Sequence, residues 1–516
     1  MDEKWKEKYA KTEALEGILR EYKTVMDFYR MDYSDDLTAL FHDTGYLLLC
    51  ELSEAGYFAC RSFGREQAVE DEAVSEVRKA MQSLEDRSSE EILAYAESLE
   101  REFQRRTEQD PRFEKLQDFK IGIRKSSLLR QIFQVLEKLF GLEQKFQEPR
   151  VFYEVLRKIH ELCANTRNDR SRYVLPERIV EQVARLLEAG MEENGEDRPV
   201  SIFDPQYGSG ELLLDAGEFF KNAGLYGHEE EPGLRLSARI LCLVSGAVIR
   251  EEEEDFPEKE PGRRYQIVLA NPPFGRESVP YAPSDLILPG GLRYLKEKYH
   301  LCLVRSLQAL ELNGSAALVV PESFLFSSTK ESRAVREWIL NTYDVEMILS
   351  LPEKTFYPRA AVRTAILLIR NPFMKSGWSE RTEQVLFCRL QEKENGGEGE
   401  ERETGERETA KSLEELLRVQ SQRDYYFRRW QEELSRGFEN FNGIRTPENW
   451  EFPHFWFADY RTIQDAGWNL LPDYYRPAGR LELRFEDPVQ LLRELMEEQE
   501  QILKDMRELL EEVQRL

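Results

Sequence analysis

Tyr265-Gln-Ile-Val-Leu-Ala-Asn-Pro-Pro-Phe274 opens as a nearly continuous apolar run and closes on an amide, two prolines and an aromatic ring. A run of that kind, without the alternation of a half-exposed strand, is the pattern of a strand covered on both faces. About sixty residues earlier, Val200-Ser-Ile-Phe203 leads into Asp204-Pro-Gln-Tyr-Gly-Ser-Gly210, a glycine turn between a second strand and a helix opening near Glu211. In open α/β sheets, ligands bind outside the carboxyl ends of parallel strands, which is where both short motifs fall. Alone, each is weak: a single Gly-x-Gly is more often a plain turn than a ligand loop, and Asn-Pro-Pro occurs by chance. In this order, each after its own strand, they reinforce one another.

The residue types suit one kind of chemistry. The exocyclic amine of adenine is a poor nucleophile because its lone pair is delocalised into the ring. Two acceptors aimed at the amine protons draw the nitrogen towards tetrahedral geometry and release that lone pair. The Asn271 side-chain oxygen and the Pro272 carbonyl can be those acceptors. Pro272 and Pro273 stiffen the backbone, so the carbonyl is in place before substrate arrives. Phe274 can stack on a base, which has to leave the duplex to be reached. The plainer alternative is a turn at a strand end with a buried Phe274.

Asp204-Pro-Gln-Tyr-Gly-Ser-Gly210 followed by Asn271-Pro-Pro-Phe274 resembles the S-adenosylmethionine-dependent N6-adenine DNA methyltransferases. More narrowly, the chain resembles the modification subunits of type I restriction-modification systems. Tyr226-Gly-His-Glu229 is similar to that family's second strand, whose acidic residue binds the cofactor ribose. Ala317-Leu-Val-Val-Pro-Glu-Ser-Phe-Leu-Phe326 looks like the strand and loop after the catalytic motif. Ile348-Leu-Ser-Leu-Pro352, Phe356 and Thr364-Ala-Ile-Leu-Leu-Ile369 resemble its last strands, and Gly467-Trp-Asn-Leu-Leu-Pro-Asp-Tyr-Tyr475 a segment before its C-terminal helices. The likeness covers residues 165–375 well and 455–516 loosely, and does not reach 1–150.

The resemblance implies a doubly wound, seven-stranded, Rossmann-like α/β methyltransferase core using S-adenosylmethionine. It implies cofactor contacts from Tyr173, Pro176, Asp204, Pro205, Gly208, Ser209, Gly210, Glu229 and Asn271, and catalysis by Asn271, Pro272, Pro273 and Phe274. Gly208 and Gly210 are expected to be glycine because side chains would block approach of the backbone to the cofactor. The implied partners are DNA, a specificity-type subunit and a restriction endonuclease subunit. Two departures stand out. Leu175 occupies the place of the family's usual threonine, and the run Glu251-Glu-Glu-Glu-Asp255 the place of an aspartate that meets the cofactor adenine. They leave open a methyltransferase-like structural or regulatory subunit with weakened cofactor binding. Methylation of a non-DNA amine or amide is a further alternative.

At 516 residues the chain is long enough for about three domains and a sizeable core. Cys50, Cys60, Cys163, Cys242, Cys302 and Cys388 form no CxxC pair, and the five histidines show no metal-binding spacing. No metal is expected. The N-terminus is charged and no apolar run approaches the ~20 residues of a membrane span, so a cytoplasmic protein is expected. The net charge of −26 repels DNA at long range, which leaves either a basic cleft amid acidic surfaces or a separate polypeptide supplying most DNA contacts, and the type I resemblance implies the second.

Residues 1–160 are expected to form an N-terminal helical domain, because Leu15, Ile18, Leu19, Tyr22, Val25, Met26 and Tyr29 recur at three and four. Residues 161–375 form the catalytic domain, with strands expected at 200–203, 225–228, 246–249, 265–270, 315–320, 344–350 and 363–370. Residues 376–411 are expected to be an acidic low-complexity linker and 412–487 a small aromatic-rich region. In that region, Arg423-Asp-Tyr-Tyr-Phe-Arg-Arg-Trp430 and Phe455-Trp-Phe457 suit either a second small core or stacking on unpaired bases. In 488–516, Leu492, Leu495, Gln499, Ile502, Met506, Leu509, Val513 and Leu516 follow a heptad seam, expected to pair with a helix of another chain.

Overall fold

The computed structural model describes residues 3–60, 71–148, 150–164, 174–190, 199–220, 222–252, 256–257, 260–274, 278, 288–290, 292, 295–353, 355–356, 362–372, 382–390, 413–436, 438–439, 445–446 and 454–476. Its N-terminal part is helical, as expected: α1 (Glu3–Asp32), α2 (Thr38–Glu54), α3 (Tyr57–Cys60), α4 (Asp71–Gln82), α5 (Ser89–Thr107), α6 (Ser126–Phe146) and α7 (Arg150–Ala164). Leu15, Ile18, Tyr22, Val25, Met26 and Tyr29 form the buried stripe of α1. The helix α2 is buried from Leu40 through Leu52, so it is the central rod of this layer. Local signals set the ends. The start of α5 is a capping box in which the Ser88 hydroxyl accepts from the Glu91 N–H, and the Glu91 carboxylate accepts from the Ser88 N–H at 2.8 Å.

The chain then alternates: α8 (Glu177–Gly190), β1 (Ser201–Asp204), α9 (Glu211–Gly217), β2 (Gly224–Gly227), α10 (Pro232–Ser245), β3 (Ile249–Glu251) and β4 (Tyr265–Ala270). There follow α11 (Lys298–Gln308), β5 (Leu310–Pro321), α12 (Glu322–Phe326), α13 (Lys330–Thr342), β6 (Asp344–Ser350), β7 (Thr364–Arg370) and β8 (Gln384–Arg389). A two-residue pair, β9 (Phe438–Glu439) and β10 (Arg445–Thr446), stands apart, and β11 (Phe455–Asp459) returns to the main sheet. The strand order there is β11-β8-β6-β7-β5-β4-β1-β2-β3. The β7 strand lies antiparallel between β5 and β6, whereas β3, β2, β1, β4 and β5 run parallel. All six residues of β4 are buried, as a central strand covered on both faces requires.

The seven-stranded core of the sequence reading is present, with three differences. First, β3 begins at Ile249 rather than Gly246. Gly246 adopts φ +76° and caps α10, a left-handed position that ends a helix instead of starting a strand. Second, residues 384–389, assigned to the linker, form β8, parallel to β6. Its Val385, Leu386, Phe387 and Cys388 are buried, an apolar run outvoted in the sequence by the acidic stretch beside it. Third, Phe455, Trp456 and Phe457, expected in a separate small region, are buried in β11 against β8 of the main sheet, and Trp456 donates its indole N–H to the Pro472 carbonyl at 3.0 Å. Tyr426 and Trp430 are buried beside them, so base stacking is not the role of these rings. The Glu/Gly-rich stretch 391–410 and the heptad segment 488–516 lie outside the described residues. One buried apolar cluster runs from Leu15 to Tyr475, joining the helical layer to the sheet.

Burial also puts acidic groups inside the helical layer. Glu51 on α2 is fully buried, accepts from the Tyr95 hydroxyl at 3.0 Å, and burial pushes its carboxyl up to about 8. Because that lies above the ordinary 4.5, its share of stability is intact at low pH and is lost as pH rises towards 8. The Glu51→Gln variant should therefore gain melting temperature relative to wild type between pH 5 and pH 8. Scanning calorimetry at both pH values checks this, and a constant difference would refute the buried-acid account.

Candidate active site

The order of the sheet reverses between β1 and β4. From β1 the chain continues outward through β2 and β3, whereas β4 passes to β5 on the other side. Ile202 pairs with Ile267 and Phe203 with Val268, and two side chains extend the joint: the Ser201 N–H donates to Gln266 Oε1, and the Gln266 N–H to Ser201 Oγ, both at 3.1 Å. The reversal opens a crevice at the strands' carboxyl ends. Asp204–Gly210 and Asn271–Phe274 leave adjacent strands at that edge, so two motifs distant in sequence become neighbours.

The glycine loop is stitched to the ends of β2 and β3. The Asp204 carboxylate accepts from the Gln206 N–H at 2.9 Å, and the Asp204 carbonyl accepts from the His228 N–H at 3.2 Å. The Tyr207 N–H in turn donates to the His228 carbonyl at 3.1 Å. The Gly208 N–H donates to Glu229 Oε2 at 2.8 Å, which aims the buried carboxylate expected to serve the ribose straight at the loop. Asp204, Pro205, Gly208, Ser209 and Gly210 are all buried. Of the acidic run, the Glu251 carboxylate accepts from the Tyr207 hydroxyl at 3.3 Å, and the Glu252 carbonyl lies 3.2 Å from His228 Nδ1. Pro176 opens α8 through its carbonyl, which accepts from the Ile179 N–H at 2.9 Å. Leu175 packs into the core, and its carbonyl accepts from Arg157 at 3.2 Å. Tyr173 lies outside the described residues.

At Gly210 the structure adds a reason for glycine to the expected one. Gly208 and Gly210 have φ +62° and +88°, a region that side chains disfavour. A Cβ on Gly210 would meet Ile249 Cδ1 at 3.0 Å and Ala238 Cβ at 3.3 Å. The glycine is thus demanded by backbone conformation and by packing behind the loop. Gly210→Val should accordingly lower thermal stability by an amount on the order of 1–3 kcal/mol, measured by denaturant unfolding of the full chain. A variant as stable as wild type would contradict this strain.

On the other side of the crevice, Asn271 is half-buried, Pro272 buried and Pro273 exposed. Phe274 presents its ring edge-on to Phe356 at 6.1 Å and to Tyr299 at 6.2 Å, and Tyr299 meets Phe324 at 6.0 Å. These rings form an aromatic wall beside the Asn271 amide. Tyr299 and Phe324 escaped the sequence reading as site residues, because each sits on a helix of otherwise ordinary apolar pattern. The neighbouring His300 fixes that helix: its Nδ1 lies 2.9 Å from the Glu331 carboxylate and its Nε2 3.1 Å from the Ser332 hydroxyl. Among the described residues no cluster of three or more His, Cys, Asp or Glu could hold a metal ion, and no helix is long and apolar enough to cross a membrane.

Comparison with known proteins agrees with this layout. The family model described as N-6 DNA Methylase matches residues 151–440. The Type II methyltransferase M.CvrRI of Paramecium bursaria Chlorella virus XZ-6E is 25% identical over 180 residues, 35% of this chain and 45% of its own length. The chain thus matches less than half the length of that curated relative. A chain solved in a study of complex assembly and conformational transition of the type I R-M system superposes with a TM-score of 0.56 at 16% identity, covering 97% of this chain and 98% of that one. The methyltransferase subunit of a type I restriction-modification system from Streptococcus thermophilus also gives 0.56, at 14% identity, over 90% of this chain and 99% of its own. At these identities the solved structures speak for the fold, and the matched sequence family, spanning the glycine loop and the Asn-Pro-Pro-Phe segment alike, places this chain in the N-6 DNA methylase family.

Proposed function

We propose that this protein transfers a methyl group from S-adenosylmethionine to the N6 amine of an adenine flipped out of DNA. The observation that carries the reading is the pairing of β1 with β4, which sets the glycine loop and Asn271-Pro-Pro-Phe274 side by side at the sheet's reversal. Asp204, Gly208, Ser209 and Gly210 would surround the methionine end of the cofactor, and Glu229 would accept from the ribose hydroxyls. Tyr173, Pro176 and Pro205 complete the proposed contacts. A left-handed glycine loop facing a buried carboxylate suits a ligand that is cationic at one end and carries a diol. When bound, S-adenosylmethionine supplies an electrophilic methyl group on a sulfonium.

The chain's own residues then prepare the amine. The Asn271 side-chain oxygen and the Pro272 carbonyl would accept hydrogen bonds from its two N–H groups, which localises the nitrogen lone pair towards the methyl. The new N–C bond would form as the S–C bond breaks and the demethylated thioether leaves. Phe274 stacks on the base within the aromatic wall of Tyr299 and Phe356. Pro273 keeps the preceding carbonyl rigid. Removing one acceptor resembles removing one oxyanion donor, so Asn271→Ala should lower the methyl-transfer rate on the order of 10²-fold or more. Calorimetric affinity for S-adenosylmethionine should stay within a few-fold of wild type. Near-normal transfer of tritiated methyl by the variant would leave the Asn-Pro-Pro-Phe segment structural.

The same reading includes a modification-subunit role in an assembly with a specificity-type subunit, with which a restriction endonuclease subunit associates. A net charge of −26 opposes DNA, and a partner bringing basic surface would offset it. The heptad seam of 488–516 offers about seven apolar side chains at ~1.5–3 kcal/mol each before ordering costs are subtracted. Truncation before Pro488 should leave a chain that binds S-adenosylmethionine but neither co-purifies with the partner nor methylates DNA. Efficient site-specific methylation by the truncated chain alone would refute the partner role.

A further inference from the structure

The glycine loop is also tied to the N-terminal helical layer, through charged groups that the methyl-transfer reading does not use. The Ser209 hydroxyl lies 2.5 Å from Glu211 Oε2, and the other oxygen of Glu211 faces His160 Nδ1 on α7. Side-chain exposure is only 6% for His160 and 5% for Glu211, so this contact is made out of water. Burial pushes the Glu211 carboxyl up, but His160, the Ser209 hydroxyl and Arg157 outweigh it and hold the group down at about 2. The His160 ring is braced edge-on by Phe41 of α2 at 4.6 Å. One turn further along α9, Asp215 takes Arg157 Nε at 2.7 Å and the Tyr153 hydroxyl at 2.7 Å, both also from α7.

A buried ion pair is weak grounds for a stability role, because well-packed apolar residues would fill the same space at lower desolvation cost. Its effect on Ser209 is more specific. An ionised carboxylate can only accept, so the Ser209 hydroxyl must donate to Glu211 and keeps only lone pairs for anything in the crevice. A neutral partner in place of Glu211 would let that hydroxyl reverse. We propose that His160 and Glu211 are positioning residues that fix Ser209 as an acceptor towards the cationic end of the cofactor, making cofactor affinity depend on the helical layer. On the opposite flank of the loop, Tyr207 reaches Lys115 through Glu251, with Lys115 Nζ 3.1 Å from the carboxylate. That leg is half exposed and correspondingly weaker.

The inference rests on the cofactor assignment above, and titration calorimetry of the full chain with S-adenosylmethionine separates the two. No binding by wild type would sink the assignment itself. Where wild type binds, His160→Gln and Glu211→Gln should each weaken affinity about ten- to a hundredfold, the scale of one charge-assisted hydrogen bond. The double variant should be no weaker than either single one, because both act through one hydroxyl. Ser209→Ala removes that hydroxyl with little risk to folding and should weaken affinity comparably. In the Ser209→Ala background, His160→Gln should change affinity no further. A purely structural pair would lower melting temperature yet leave the affinity of the folded variants at the wild-type value, and that result overturns the proposal. If His160→Gln does not fold, unchanged affinity in Ser209→Ala overturns it equally.

Discussion

The pairing of β1 with β4 is the contact on which the candidate site depends. Only two backbone registers define it, Ile202 with Ile267 and Phe203 with Val268, and the Ser201–Gln266 side-chain exchange lengthens it at the amino end. The chain leaves β1 in one direction and β4 in the other, which opens a crevice at their carboxyl ends. A glycine loop and a proline-stiffened loop therefore face a common crevice. Had β4 paired elsewhere, both motifs would still exist, and neither would have a counterpart.

Around that joint, polar contacts as well as apolar packing hold the loop. The carboxylates of Asp204, Glu211, Glu229 and Glu251 each engage the loop or a residue beside it, and three of the four are buried. Such groups are costly to bury singly and directional when partnered. Their concentration at the carboxyl ends of the strands ties the loop to its neighbours at several points, the arrangement that pre-set electrostatics calls for. It also explains why a helical layer with no recognisable motif is continuous with the core: α7 supplies Arg157 and His160 to face the carboxylates beneath the loop.

Much of this was legible in short windows of sequence. The apolar run ending at Ala270, the glycine turn after Phe203 and the three-four spacing in α1 each specify an element through neighbouring residues alone. Errors arose where a local signal was real but its use was decided from afar. The aromatics of 455–457 suited a separate small core or a base-stacking surface until β8 supplied the edge that draws them into the main sheet. Gly246 sat in an apolar stretch that suited a strand, yet ended a helix.

By itself the sequence determined the identity of the two loops, because strand patterning, glycine freedom and proline stiffness act over a few bonds. Only the tertiary structure decided that the loops adjoin, that Gly210 is demanded by Ile249 and Ala238 behind it, and that His160 answers Glu211. The physical reason is that a buried charge or an unfilled strand edge is satisfied by whatever the fold brings within a few ångströms. That choice depends on the course of the whole chain, which no local pattern records.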